Sequence, residues 1–182
     1  PERWRDPQKR YVAFGLRGRV MLVNTRLLPD RADWPRTVAD LLDPKSHAKG
    51  LLTCMAAPLT GTTYTHAVAL LTRDEAAATT LLTGVRQAAD EGRLKLTPGN
   101  GDAMSLARDP ENKVAFCLTD TDDAWAAKSA GFPVEVVYPD QGEGQPGTLV
   151  IPNTLALVKG RPHPEPAARL LRWIARPELE GK

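Results

Sequence analysis

The chain has 182 residues, of which 42% are hydrophobic and 25% charged, a balance typical of a folded globular protein rather than of a disordered or fibrous one. The formal net charge is only +2, with arginine and lysine scattered among nearly as many acids, so we expect no nucleic-acid partner. No apolar run approaches the roughly 20 residues that a membrane-spanning helix needs. We therefore expect no membrane insertion of this chain.

Short β-type runs alternate with helical periodicity along the chain. This alternation predicts an α/β protein, a three-layer open sheet with flanking crossover helices. The predicted strands are Val20–Asn24, Leu51–Met55, Lys95–Thr97, Val114–Leu118, Val134–Tyr138, Thr148–Ile151 and Leu155–Val158. The predicted helices are Thr37–Leu42, Thr65–Leu71, Asp74–Glu91, Ala103–Arg108, Asp122–Ala130 and Glu165–Ala175.

Two cysteines, Cys54 and Cys117, lie in apolar runs and in no metal-binding spacing. Their surroundings predict buried, inert thiols. The alternative is a disulfide between two neighbouring strands, which would require an oxidising compartment.

Ligands of open α/β sheets gather beyond the carboxyl ends of strands, where loops lead into helices. Three segments have this position: residues 57–63, 98–102 and 119–123. In the first, Gly61 permits close approach of the backbone to a ligand, and the hydroxyls of Thr62 and Thr63 accompany free N–H groups of a helix. This turn suits an oxyanion or a carboxylate, and the alternative is a threonine N-cap.

The third segment is acidic, with Asp120, Asp122 and Asp123 between a buried strand and a helix. Capping explains one or two of these acids. A hard cation, an ammonium group or a metal is the functional interpretation, with Asp120, Asp122 and His66 as candidate ligands, although a single histidine entering a helix is commonly structural. A strand ending in Asp-x-Asp also permits a magnesium-dependent phosphohydrolase that uses Asp120 and Asp122. Such an enzyme also needs a supporting lysine and a further pair of acids at later strand ends, whereas Asp140 and Glu143 lie in a Gly/Pro turn.

These loops stand in a collinear series of motifs, Trp34 to Pro44, Ala57 to His66, Gly99 to Gly101, Thr119 to Ala124, Tyr138 to Gln141, Gly147 to Thr154 and Pro162 to Ala168. The series resembles bacterial extracellular (periplasmic) solute-binding proteins of the iron(III)-transporter type, from about Arg17 onward. The resemblance implies the type II periplasmic-binding-protein fold, in which two α/β lobes close over a small molecule or metal chelate. It also implies export to the cell envelope, delivery of the solute to an ABC transporter permease, no catalysis and no cofactor.

Carried over by position, the resemblance implies one set of ligand contacts, at Gly61, Thr62, Thr63, Thr119, Thr121, Asp122, Arg17 and Asn153, with Arg19 as an alternative to Arg17 near the hinge strand. Relatives that bind iron(III) have adjacent tyrosines where this chain has Thr119 to Asp123. Threonine and aspartate there suit a hydroxylated, phosphorylated or metal-chelate ligand. Besides the phosphohydrolase, a noncatalytic ligand-sensing domain remains an alternative.

The resemblance also implies a domain division. We expect a remnant of lobe one with the hinge strand at residues 1–19, an intact lobe two at 20–137, and a hinge return with a second lobe-one remnant at 138–182. A fragment of this kind would lack part of lobe one. We therefore expect an exposed apolar face at Leu171 and Trp173, available for self-association.

Overall fold

The computed structural model describes residues 6–8, 10–42, 44–59 and 61–179. Residues 1–5 of the predicted hinge segment and Thr60 of the first predicted ligand loop lie outside this part. The chain divides into two compact units. We call Gly18–Leu149 the core unit and Pro1–Arg17 with Val150–Lys182 the terminal unit. The assignment of these segments to two lobes stays a prediction.

Strands and helices alternate through the described residues. The strands are β1 (Tyr11–Asn24), β2 (Leu52–Ala56), β3 (Leu94–Thr97), β4 (Val114–Asp120), β5 (Val134–Val137) and β6 (Val150–Ala156). The helices are α1 (Pro44–Ala48), α2 (Gly61–Arg73), α3 (Glu75–Asp90), α4 (Asn100–Arg108), α5 (Thr121–Ser129) and α6 (Pro164–Ile174). The predicted helix Thr37–Leu42 is a 3-10 helix over Val38–Leu42.

The sheet of the core unit has the strand order β3-β2-β4-β1-β5. Strands β3, β2 and β4 are parallel, as helix crossovers require. Strand β1 is antiparallel to both β4 and β5. The predicted open sheet is therefore confirmed, and it is mixed.

Apolar side chains cover both faces of this sheet. Along β1, Met21 and Val23 belong to one buried cluster and Val20 and Leu22 to the other, because successive side chains of a strand point to opposite faces. The first cluster includes Val85 of α3, and the second includes alanines of α4 and α5. The predicted three layers, helix, sheet and helix, are thus present.

Several predicted elements differ from the structure, among them the helix predicted from Ala103, which is α4 and begins at Asn100. Helix α2 begins at Gly61, four residues before the predicted start at Thr65, since the apolar pattern marks only the packed part of a helix. Strand β1 begins at Tyr11, nine residues before the predicted start at Val20, and its apolar first part, Tyr11 to Leu16, was not assigned to a strand. The predicted strands Thr148–Ile151 and Leu155–Val158 are wrong as a pair, because one strand, β6, replaces them across Pro152.

In the terminal unit, β6 pairs with β1 and is followed by α6. Helix α6 has no buried residue, and its Leu170 and Trp173 are 57% and 52% exposed. Leu171 is half-buried. The predicted apolar exposure is therefore present at Trp173. No helix in the described residues has the length and apolar character to cross a membrane.

Candidate ligand-binding site

A buried ion pair lies at the edge of the core-unit sheet where the parallel strands end. In the antiparallel register of β1 and β4, Arg19 lies opposite Asp120. Both side chains are 0% exposed, and Arg19 Nη1 donates to Asp120 Oδ1 at 2.5 Å. Asp120 is the last residue of β4, so the pair stands directly under the loops that follow the parallel strands.

The guanidinium and the carboxylate form hydrogen bonds with side chains from the first turns of α2 and α4. Arg19 donates to Thr62 Oγ1 at 3.2 Å, to Asn100 Oδ1 at 3.1 Å and to Thr63 Oγ1 at 3.2 Å. Asp120 Oδ2 accepts from Thr62 Oγ1 at 2.8 Å and from Asn100 Nδ2 at 3.0 Å. Asn100 Nδ2 also donates to Thr62 Oγ1 at 2.7 Å. We call these five residues the Arg19 cluster.

Burial lowers the pKa of Arg19, and the neighbouring carboxylate of Asp120 opposes that shift. A guanidinium still remains protonated in proteins, so the cluster holds a charged pair. Nearby, burial lowers the pKa of His66 to about 4, with Arg19 adding to the effect and Asp120 opposing it. His66 is therefore neutral at physiological pH.

The Arg19 cluster joins the N-termini of three helices. Helices α2 and α4 begin at Gly61 and Asn100, after short loops from β2 and β3, and α5 begins at Thr121, directly after β4. The N-cap residues Gly99 and Asp120 make no side-chain capping bond to α4 and α5. Unsatisfied N–H groups and helix dipoles give such an edge a positive potential.

Only part of this potential is neutralised by the helices themselves. The first turn of α4 contains Asp102, and that of α5 contains Asp122 and Asp123. The first turn of α2 contains no acid. An anionic group is therefore favoured at the start of α2, and ammonium or hydroxyl groups are favoured toward the aspartates of α5.

Gly61 leaves room for a ligand at the start of α2. Its φ is +65°, a left-handed conformation that residues with a side chain rarely adopt. Among the described residues other than its chain neighbours, no atom lies within 4 Å of the position that a Cβ would occupy. The glycine thus provides both the turn and an open backbone surface.

The other predicted contacts fall into two groups within the core unit. Thr121 is half-buried and accepts from Gly18 N at 3.1 Å, and Asp122 is exposed. Thr63 and Thr119 are 2% and 0% exposed. Their hydroxyls contact Arg19 and the backbone of Asn100 inside the protein. Their role as direct ligand contacts stays a prediction.

Arg17 and Asn153 belong to the terminal unit. Arg17 Nε donates to Asn153 Oδ1 at 2.8 Å, so the structure brings these two predicted residues together. Their role toward a ligand stays a prediction.

The predicted metal ligands are not grouped as a metal site. Among the described residues, no three His, Cys, Asp or Glu side chains are placed to hold a metal ion together. Asp120 is bound by Arg19, and His66, 6% exposed, lines an apolar cavity of about 20 Å³, which has room for about one water molecule. The burial of Asp120 also argues against the phosphohydrolase, because a nucleophile needs access to its substrate.

Sequence reasoning missed the centre of the cluster. Arg19 was expected only as an alternative to Arg17, and Asn100 was inside a predicted ligand segment without being selected. The signal for Arg19 is a cation directly before the apolar run Val20–Val23, because a charge entering a buried strand needs a partner. The antiparallel register that supplies this partner is not readable from the sequence.

The fold and the cluster are those of an α/β ligand-binding protein. The family described as "Bacterial extracellular solute-binding protein" matches residues 6–180, and the chain belongs to this family. The predicted resemblance is thereby confirmed, and the relatives are substrate-binding transport proteins rather than enzymes. Membership places the protein outside the cytoplasm, in the periplasm or the extracellular space.

Solved structures share the fold. Iron-bound HitA from Pseudomonas aeruginosa has a TM-score of 0.77 at 20% identity, covering 100% of this chain and 56% of its own. The ferric binding protein from Campylobacter jejuni has a TM-score of 0.73 at 17% identity, with 98% and 56% covered. The substrate binding protein of an ABC transporter from Agrobacterium tumefaciens has a TM-score of 0.75 at 15% identity, with 97% and 50% covered.

The chain thus spans about half the length of these solved structures. A comparison with curated proteins found no match.

Proposed function

We propose that the protein is the substrate-binding component of an ABC importer, which captures a small solute outside the cytoplasm and delivers it to the permease. The observation that carries this proposal is the meeting of three helix N-termini above the Arg19 cluster. The likeness to iron-binding proteins and to a transporter's substrate-binding protein supports it. The proposal includes no catalytic step and no resident cofactor.

The electrostatics narrow the class of solute. A carboxylate or phosphate group would accept from the first N–H groups of α2, at the helix start that has no acid of its own. Hydroxyl or ammonium groups of the same molecule would meet Asp122 on α5. A metal chelate with carboxylate arms fits this arrangement better than a bare iron(III) ion, since the described residues contain no cluster of metal ligands.

Thermal unfolding with a panel of probes tests the proposal. The panel contains inorganic phosphate, citrate, ferric citrate, iron(III) alone and ribose. Because binding to the folded state raises the melting temperature, we expect a rise with at least one phosphate or carboxylate probe and none with iron(III) alone. A rise with ribose only would contradict the anionic class, and magnesium-dependent turnover of a phosphate ester would contradict the binding function.

A matched pair of variants connects binding to the site. Thr62→Val removes the hydroxyl that accepts from Arg19 and donates to Asp120. The start of α2 then loses its attachment to the ion pair, so we expect at least about tenfold weaker binding of the active probe. The control is Thr72→Val on the same helix, because the exposed Thr72 hydroxyl donates only to Val68 O at 2.8 Å. If the two variants have equal affinities, measured by calorimetry, the ligand does not bind at the start of α2.

A further inference from the structure

We propose that Cys54 and Cys117 become joined by a disulfide bond when the protein folds in an oxidising compartment. In the structure both are free thiols. This inference concerns the core of the sheet and is independent of the solute. It uses only the fold and the extracytoplasmic location of the family.

The strand register places the two cysteines side by side. Cys54 of β2 and Cys117 of β4 are direct partners in the parallel pairing of these strands. Neighbouring strands lie about 4.8 Å apart. A disulfide requires Cα atoms roughly 4.4–6.8 Å apart, and the spacing of paired strands lies within this range.

Both side chains also point to the same face of the sheet. Cys54 and Cys117 are 0% exposed and belong to one apolar cluster, together with Val20 and Leu22 of β1. Their β2 and β4 neighbours Met55 and Leu118 belong to the opposite cluster. The two sulfur atoms therefore face a common layer under α4 and α5.

The number of cysteines supports the pairing. The sequence contains two, and the fold brings both of them, 63 positions apart in numbering, to partner positions on adjacent strands. Compartments outside the cytoplasm favour disulfides over free thiols. Each cysteine therefore has the other one as its neighbour on the adjacent strand.

The chemistry is a two-electron oxidation. The two Sγ–H bonds break and one Sγ–Sγ bond forms, while two protons and two electrons pass to an oxidised disulfide, either of a thiol oxidoreductase or of a small molecule such as glutathione disulfide. The attacking group is a thiolate. Burial raises the pKa of Cys54 to about 12 and that of Cys117 well above its usual range, so the bond has to form during folding, before the sheet closes.

Oxidative refolding tests this order of events. The reduced full chain is unfolded in denaturant and refolded with a glutathione redox buffer, then denatured, treated with an alkylating reagent and weighed by mass spectrometry. We expect a monomer lighter by two hydrogen atoms and without alkyl groups, and a peptide pair joining the segments of Cys54 and Cys117. Native reduced protein in the same buffer is expected to keep two alkylatable thiols.

The controls separate the alternatives. The variant Cys117→Ala should retain one alkylatable thiol after refolding, and protein exported to a periplasm should contain the bond without refolding. Two alkylated thiols in refolded wild-type protein, a glutathione adduct on each cysteine, or a disulfide-linked dimer would overturn the proposal. The wild-type measurement decides the question even where the variant fails to fold.

Discussion

Arg19 is a cation without exposed surface, and neighbouring side chains take the place of water at its two terminal nitrogens. Four side chains, those of Asp120, Thr62, Thr63 and Asn100, accept from its two terminal nitrogens. A buried ion pair adds little net stability compared with an apolar pair, because both charges lose their hydration. Here the ion pair fixes positions instead, because it holds the starts of α2 and α4 against the end of β4.

Removal of one charge of this pair should be costly. Arg19→Met leaves Asp120 buried without its counter-ion, so we expect a loss of about 3–5 kcal/mol in the free energy of unfolding, measured in urea. The double variant Arg19→Met with Asp120→Leu should recover part of this loss. The control Arg86→Met, at an exposed pair with Asp90, should cost less than about 1 kcal/mol. Similar losses for both arginines would show that the cluster does not organise the site.

His66 should make stability depend on pH. Its pKa is about 4 in the folded protein and about 6.5 unfolded, with Arg19 and Asp120 as its charged neighbours. Between these values the unfolded chain binds a proton that the folded protein does not, so the free energy of unfolding should fall from pH 6.5 to pH 4, by up to roughly 3 kcal/mol.

The variant His66→Gln should flatten this pH dependence, measured by urea unfolding at half-unit intervals. The matched control is His163→Gln, at an exposed position. If His66→Gln keeps the wild-type slope, histidine burial is not its cause.

At the scale of elements, the site arises because each parallel strand delivers the start of a helix to the same edge. Helices α2, α4 and α5 follow β2, β3 and β4, and their first residues carry the polar groups. The apolar pattern of α2 predicted a helix from Thr65, although Gly61 to Tyr64 are also helical. The first turn of α2, where a ligand could bind, carries few apolar residues. Hydrophobic periodicity therefore does not identify it as helical.

Helix α3 provides a test of capping that is separate from the site. Asp74 is its N-cap, and Asp74 Oδ1 accepts from Ala77 N at 3.0 Å. Asp74→Ala should reduce the free energy of unfolding by about 1 kcal/mol. Glu75→Ala, in the same turn but without the cap bond, should cost less, and an equal cost would assign the effect to charge alone.

At the scale of the whole molecule, the two units differ in how deeply their elements are buried. All seven residues of β4 are buried, whereas no residue of β6 or α6 is. Amides in α6 should therefore exchange with solvent at least about 100-fold faster than those in β4, measured by hydrogen–deuterium exchange and mass spectrometry. Equal protection would show that the terminal unit is stabilised to the same extent as the core unit.

Composition and periodicity were sufficient to predict an open α/β sheet and the three loops at its edge. The loops 57–63, 98–102 and 119–123 all contribute to the observed edge. The pairing of Arg19 with Asp120 was not predictable, because it depends on an antiparallel register between strands about a hundred residues apart. Periodicity determines which face of a strand is buried, and it does not determine which strand lies beside it.

The position of β1 has a consequence for how the protein is made. This strand carries the fully buried run Val20–Val23, yet its neighbours β4 and β5 are synthesised some ninety residues or more later. Such sequence-distant pairing slows folding. We therefore expect the newly made chain to complete its central sheet only after β4 and β5 have left the ribosome.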